Sequence, residues 1–220
     1  MRRHEALLSP LTRHLARRGV APDAITLMAL PPALAAGVAV AAGAFWLAAA
    51  FLALSGLFDL LDGSLARSSG QESRFGALLD STLDRLCDAF VPMGLVVFYA
   101  AHPLLSVIPV AALITGFVIS YIRARAQSLE IVLPRLWMRR EDRFALTLVS
   151  LLLAPIDWPV LGIAAPSVLL VQALLAVLGG LASLAALRAA ARITRQPRGA
   201  MTTSANSPDE TAPNMRNSGT

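Results

Sequence analysis

Residues 58–67 read Phe58-Asp59-Leu60-Leu61-Asp62-Gly63-Ser64-Leu65-Ala66-Arg67, and residues 76–84 read Gly76-Ala77-Leu78-Leu79-Asp80-Ser81-Thr82-Leu83-Asp84. The first closes one long apolar block and the second opens the next. On helices, Asp59 and Asp62 are i,i+3 neighbours and Asp80 and Asp84 are i,i+4 neighbours, so each pair lies on one helix face. The connection from Ser68 to Phe75 is short. It predicts an antiparallel hairpin with all four carboxylates at one level, near a membrane surface. A carboxylate within a membrane helix costs at least ~2.5 kcal/mol, and repulsion among four raises that. Such a cluster requires cations. Arg67, Arg74 and Arg85 are near enough in sequence to offset part of the charge, as in a structural salt-bridge cluster. An all-oxygen donor set suits Mg2+ or Mn2+ better, and a hard cation beside a membrane serves to hold phosphate oxygens.

The bilayer setting follows from composition. The chain has 220 residues, of which 56% are hydrophobic and only 15% charged, too few to cover a soluble surface. The apolar residues come in blocks at about Ile25–Ala44, Trp46–Ala66, Ala77–Ala101, Leu104–Ile122, Phe144–Ala154 and Ser167–Leu187. All but the fifth reach the roughly 20 residues that cross the hydrocarbon. Pro31-Pro32 is expected to kink the first. The predicted fold is therefore all-α: a polytopic membrane protein of six transmembrane helices.

Arginine sets the orientation. Every one of the 19 basic residues is Arg. The loops between blocks one and two, three and four, and five and six carry none. Arg67 and Arg74 follow block two, six arginines lie from Arg123 to Arg143, and Arg188, Arg192, Arg195 and Arg198 follow block six. The positive-inside rule then places both termini and the carboxylates on the cytoplasmic side of a bacterial inner membrane. Arginines that flank apolar blocks point to lipid headgroups and phosphate-bearing substrates, and they exclude a nucleic-acid domain. Residues 1–19 read as an amphipathic juxtamembrane segment, with Leu7, Leu8, Leu11 and Leu15 on one face and Arg13, Arg17 and Arg18 around it. The first block starts too late and runs too long for a cleaved signal peptide. Residues 20–195 form the membrane domain, and 196–220, rich in Ser, Thr, Asn and Pro, form a disordered tail.

The pattern Asp59-x2-Asp62-Gly63-x2-Ala66-Arg67-x8-Gly76-x3-Asp80-x3-Asp84 resembles the signature of the CDP-alcohol phosphatidyltransferases. A weaker likeness runs from about Gly19 to Arg195 and includes Pro22-Asp23-Ala24-Ile25-Thr26, where the family usually has Asn in place of Asp23. The resemblance implies a six-helix protein, a homodimer, that displaces CMP from a CDP-lipid such as CDP-diacylglycerol. Asp59, Asp62, Asp80 and Asp84 would share the metal site, with Asp84 also taking the proton of the attacking hydroxyl. Thr26, Gly63, Arg67 and Gly76 would serve the CDP-lipid. Gly63 would let the nucleotide reach the backbone, Arg67 would pair with diphosphate oxygens, and Gly76 would allow close helix packing. Asp88 continues the Asp84 face but lies outside the signature, and is expected to hydrogen-bond a neighbouring helix.

The resemblance implies a small polar alcohol as acceptor. Ser120-Tyr121-Ile122-Arg123-Ala124-Arg125-Ala126, followed by Arg143, Arg188 and Arg192, resembles the branch of the family whose acceptor is inositol phosphate. There a Ser-Tyr-x-Lys-Ala-Arg-Ala run and later arginines hold the acceptor's phosphate. Arg123 stands for the usual Lys, and Arg140-Glu141-Asp142-Arg143 has one Asp more than the usual Glu-Arg pair. Ser120, Arg123, Arg143, Arg188 and Arg192 are thus the expected acceptor residues, with snorkelling to lipid as the plainer role for the last two. Glycerol 3-phosphate is the alternative acceptor. An intramembrane prenyltransferase or a transporter also places carboxylates in a membrane, but with other spacings or with internal repeats that this chain lacks. Cys87 alone excludes an intrachain disulfide, and His4, His14 and His102 are too scattered for a shared site.

Overall fold

Apolar residues recurring through 20–30-residue blocks can satisfy their backbone groups in lipid only as helices, and helices are what form. The computed structural model describes residues 10, 12, 14–70, 73–134, 139–156 and 164–195, and among these every regular element is helical. In chain order they are α1 (Pro22–Met28), α2 (Leu30–Ala41), α3 (Phe45–Ser69), α4 (Arg74–Phe98), α5 (Pro103–Ser128), α6 (Arg140–Leu153), which runs into a 3-10 turn at Ala154–Ile156, and α7 (Pro166–Arg195). Four stretches are long and apolar enough to cross a membrane: Pro22–Ala41, Phe45–Ser69, Pro103–Ser128 and Pro166–Thr194. The tail 196–220 and most of the N-terminal amphipathic pattern, Leu7, Leu8, Leu11 and Arg13 included, lie outside the described residues. A helical turn at 14–17 lies within them, and its Leu15 and Ala16 pack against Ile25 of α1 and Leu61 and Leu65 of α3.

The first block breaks at Ala29, two residues before the expected kink, because Pro31 sits in the first turn of α2, where no N–H donor is needed. The Ala29 carbonyl accepts hydrogen bonds from the Ala33 N–H at 3.2 Å and from the Ser55 hydroxyl of α3 at 2.9 Å. Two tight turns reverse the chain. Gly43, at φ +73°, joins α2 to α3, and Gly70, at φ +65°, caps α3 in the left-handed region that glycine enters freely. Ser73 then caps α4 by accepting from the Gly76 N–H at 2.8 Å.

The hairpin of α3 and α4 is splayed. Backbone packing runs instead from α2 to α3 on one side and from α2 to α4 on the other. Gly37 and Gly94 explain the second contact. A Cβ at Gly94 would collide with the Gly37 carbonyl oxygen, and one at Gly37 would lie 2.9 Å from the Phe90 carbonyl carbon, so the helices meet backbone to backbone. Ala36, Val40, Ala48, Leu52, Val91 and Leu95 fill the core between the three. The other half of the bundle is built on α5 and α7, which run parallel. Ala112 meets Leu175, Gly179 accommodates Thr115, and Ile119 meets Ala182 and Ala186. Large apolar side chains such as Trp46, Leu104, Leu170 and Val177 face outward, the reverse of a water-soluble surface.

Candidate active site

Splaying α3 from α4 leaves a gap at the end where both carry carboxylates. Asp59 and Asp62 enter it from α3 and Asp80 from α4, and one carboxylate oxygen of each lies within 4.8 Å of the others. Asp62 is 4% exposed. Its Oδ1 accepts from the Gly63 N–H, while its buried Oδ2 has no hydrogen-bond partner among the described residues. A buried carboxylate oxygen without a partner costs more than a hydrogen bond gains, so it calls for a cation. Three convergent carboxylates, with oxygen the only donor type, fit a hard divalent ion such as Mg2+ or Mn2+.

The four residues expected at the CDP-lipid line one open cleft beside this cluster. Thr26, Gly63, Arg67 and Gly76 share it with Asp62 and Asp80, in a space of about 800 Å3. The Arg67 guanidinium lies over Gly63, 3.3 Å from where a Cβ would stand. Gly76 admits a side chain rather than a helix backbone: a Cβ there would lie 2.9 Å from Asp23 Oδ1 and 3.0 Å from Ser73 Oγ. Helix α1 thereby brings its first turn against the start of α4.

Asp84 lies outside the trio but is joined to Asp59 by a residue to which sequence reasoning gave no role. Arg140, the first residue of α6, donates through Nη1 to both carboxylate oxygens of Asp59 at 3.0 Å. Its Nη2 reaches Asp84 Oδ1 at 2.9 Å and its Nε reaches Asp88 Oδ1 at 3.3 Å. Arg143, one turn on, donates to Asp88 Oδ2 at 3.3 Å. Asp88 therefore does bond a neighbouring helix. The counter-charge reaching Asp59, Asp84 and Asp88 comes from α6, while Arg85, nearer in sequence, bonds back to the Ser81 carbonyl of its own helix. The available signal was the doubled arginine at the head of the fifth block, two charges where one would anchor a helix end.

The expected acceptor residues do not converge on one pocket. Arg143 lines a small pocket together with Asp88, Arg140, Thr147 and Gln172. Arg123 lines a separate groove at the end of α5, with Gln127 and Glu130, yet lies within electrostatic reach of Arg139 and Arg143. Ser120 turns its hydroxyl back to the Gly116 carbonyl at 2.9 Å, and Arg188 and Arg192 stand exposed on the last turns of α7. The reason is the packing of α7, whose small residues Ala182 and Ala186 face α5 and leave its arginines on an outer face.

Known proteins are similar to this chain in sequence and fold. Phosphatidylinositol phosphate synthase of Streptomyces avermitilis is 35% identical over 149 residues, a stretch covering 66% of this chain and 61% of that protein. The match thus spans less than two thirds of that relative's length. Two crystal structures of Mycobacterium tuberculosis phosphatidylinositol phosphate synthase superpose with a TM-score of 0.74. The one with CDP-DAG bound is 29% identical and covers 84% of this chain and 94% of its own. The other, in complex with manganese and citrate, is 30% identical and covers 82% and 87%. The family model for CDP-alcohol phosphatidyltransferase matches residues 19–191, nearly the whole of the helical bundle, and the chain belongs to that family.

Proposed function

We propose that this chain is a membrane-bound phosphatidyltransferase of phospholipid synthesis, which moves the phosphatidyl group of CDP-diacylglycerol to the hydroxyl of inositol phosphate and releases CMP. The observation that carries the reading is the buried Asp62 carboxylate, which converges with Asp59 and Asp80 and keeps its Oδ2 without a hydrogen-bond partner among the described residues, beside a cleft lined by Thr26, Gly63, Arg67 and Gly76. Asp59, Asp62 and Asp80, with Asp84, would hold the metal. A bound Mg2+ or Mn2+ supplies Lewis-acid polarisation of the diphosphate and offsets the charge on departing CMP. Arg67 pairs with diphosphate oxygens. Asp84 accepts the proton of the acceptor hydroxyl as its oxygen bonds to the β-phosphorus, and the bond from that phosphorus to the CMP oxygen breaks. Arg123 and Arg143, assisted by Ser120, Arg188 and Arg192, attract the acceptor's own phosphate. Relatives that make phosphatidylinositol phosphate support inositol phosphate over glycerol 3-phosphate. Family membership sets aside the prenyltransferase and transporter readings.

The same reading places residues 20–195 as six spans, with α4 and α6 crossing beside the four apolar helices, 1–19 along the membrane surface and 196–220 as a tail. Both termini and the site face the cytoplasm of a bacterial inner membrane, and the enzyme works as a homodimer among membrane lipids. The test is substitution at the cluster. Asp62→Asn and Asp80→Asn each lower CMP release by on the order of a hundredfold or more, while the purified protein keeps its helical content and inserts normally. Turnover near wild type in either variant overturns the assignment.

A further inference from the structure

Asp59 serves two cations. It is one of three carboxylates that converge within 4.8 Å, and both of its oxygens also accept from Arg140 Nη1 at 3.0 Å. Through its other nitrogens the same guanidinium holds Asp84 at 2.9 Å and Asp88 at 3.3 Å. Three faces of the fork are thus committed to three carboxylates from two helices, which a planar guanidinium achieves and a point charge does not. Arg140 stands at the head of α6, where the Arg139 N–H donates to Asp142 Oδ2 at 3.0 Å, and Arg143 keeps its own tie to Asp88. Helix α6 therefore stays anchored if Arg140 lets go. A divalent ion among Asp59, Asp62 and Asp80 places a second positive charge on a carboxylate that Arg140 already holds. Like charges on one partner oppose each other, and partial burial of Asp59 and Arg140, each a little over a quarter exposed, limits how far water screens them.

We propose that Arg140 is a tethered counter-cation, competing with the divalent metal for Asp59 and holding the carboxylates together when the metal is away. The proposal rests on the reading of the trio as a metal site. Coupling of this kind is reciprocal: metal loosens the Arg140 bridge by the same factor as Arg140 weakens the metal. Arg140 is thus a positioning residue, keeping the mutually repelling carboxylates of Asp59, Asp84 and Asp88 in register until the metal and CDP-lipid arrive.

The experiment uses the full chain purified in detergent, with Mn2+ binding followed by electron paramagnetic resonance and unfolding followed with and without Mn2+. Arg140→Gln is expected to bind Mn2+ about tenfold tighter than wild type, within the usual range of site-to-site coupling. Its metal-free unfolding midpoint falls and its rise on adding Mn2+ grows. A merely structural arginine gives the opposite result, since loss of register weakens metal binding. Arg140→Lys keeps a charge but cannot bridge three carboxylates, so its affinity lies between those two proteins. If Arg140→Gln does not fold, Arg140→Lys decides. Mn2+ affinity equal to or below wild type in the deciding variant overturns the proposal. Wild-type protein that binds no Mn2+, or that binds it no better than Asp62→Asn, overturns the metal reading itself.

Discussion

At Asp62 a carboxylate 4% exposed keeps one oxygen without a partner among the described residues, and the cost of that oxygen is what makes the site readable as a cation site. The convergence of Asp59, Asp62 and Asp80 was legible in the sequence, because charged groups at helical spacing in apolar blocks need partners; Asp84, read with them, lies on the Arg140 bridge. Arg140 was not legible. It meets Asp59 across 81 residues and Asp88 across 52, and no local pattern specifies that meeting. The acceptor arginines fall between these cases, since charge identified them but could not say which way they face. Arg123, within reach of Arg139 and Arg143, and Arg192, exposed on α7, give opposite starting points for one prediction. If both grip the acceptor's phosphate, Arg123→Gln and Arg192→Gln each raise the KM for inositol phosphate about ten- to a hundredfold. The KM for CDP-diacylglycerol hardly moves. Unaltered acceptor kinetics in a variant shows that its arginine only anchors the helix in lipid.

Among the elements, long apolar blocks became helices close to their expected bounds, because twenty apolar residues in lipid have no other way to satisfy the backbone. Two departures have physical causes. The kink fell at Ala29 because Pro31 is tolerated in a first turn. The α3–α4 hairpin opened because Gly37 and Gly94 bring α4 against α2, a contact visible only once the helices are packed. Helices α4 and α6 decide the topology. Helix α4 carries Arg74, Asp80, Asp84, Arg85 and Asp88, and α6 has 14 residues, a rise of about 21 Å against a hydrocarbon core of roughly 30 Å. If both cross, a tag between Ala101 and His102 is labelled from outside the cell membrane and a reporter after Arg195 reads as cytoplasmic. If only the four apolar stretches cross, the reporter reads the same but the tag is protected. Protection at that loop contradicts six spans.

For the whole molecule, the apolar exterior, the parallel α5–α7 pair and the splayed α3–α4 pair together form a bundle whose polar chemistry is gathered at one end. The carboxylate cluster and the cleft share α3 and α4, with Thr26 added from α1, and their residues could be named without the fold, whereas the α6 arginines could not. The match to the CDP-alcohol phosphatidyltransferase model across residues 19–191 gives the bundle its reaction class, and the acceptor remains the sharpest claim about the intact protein. The direct measurement gives the purified full chain CDP-diacylglycerol, Mg2+ or Mn2+, and separately inositol phosphate, glycerol 3-phosphate, inositol and serine, with CMP quantified and each lipid product identified by mass. The account predicts stoichiometric CMP and phosphatidylinositol phosphate, formed fastest with inositol phosphate and abolished by chelating the metal. Turnover that survives chelation, or that favours an unphosphorylated alcohol, contradicts it.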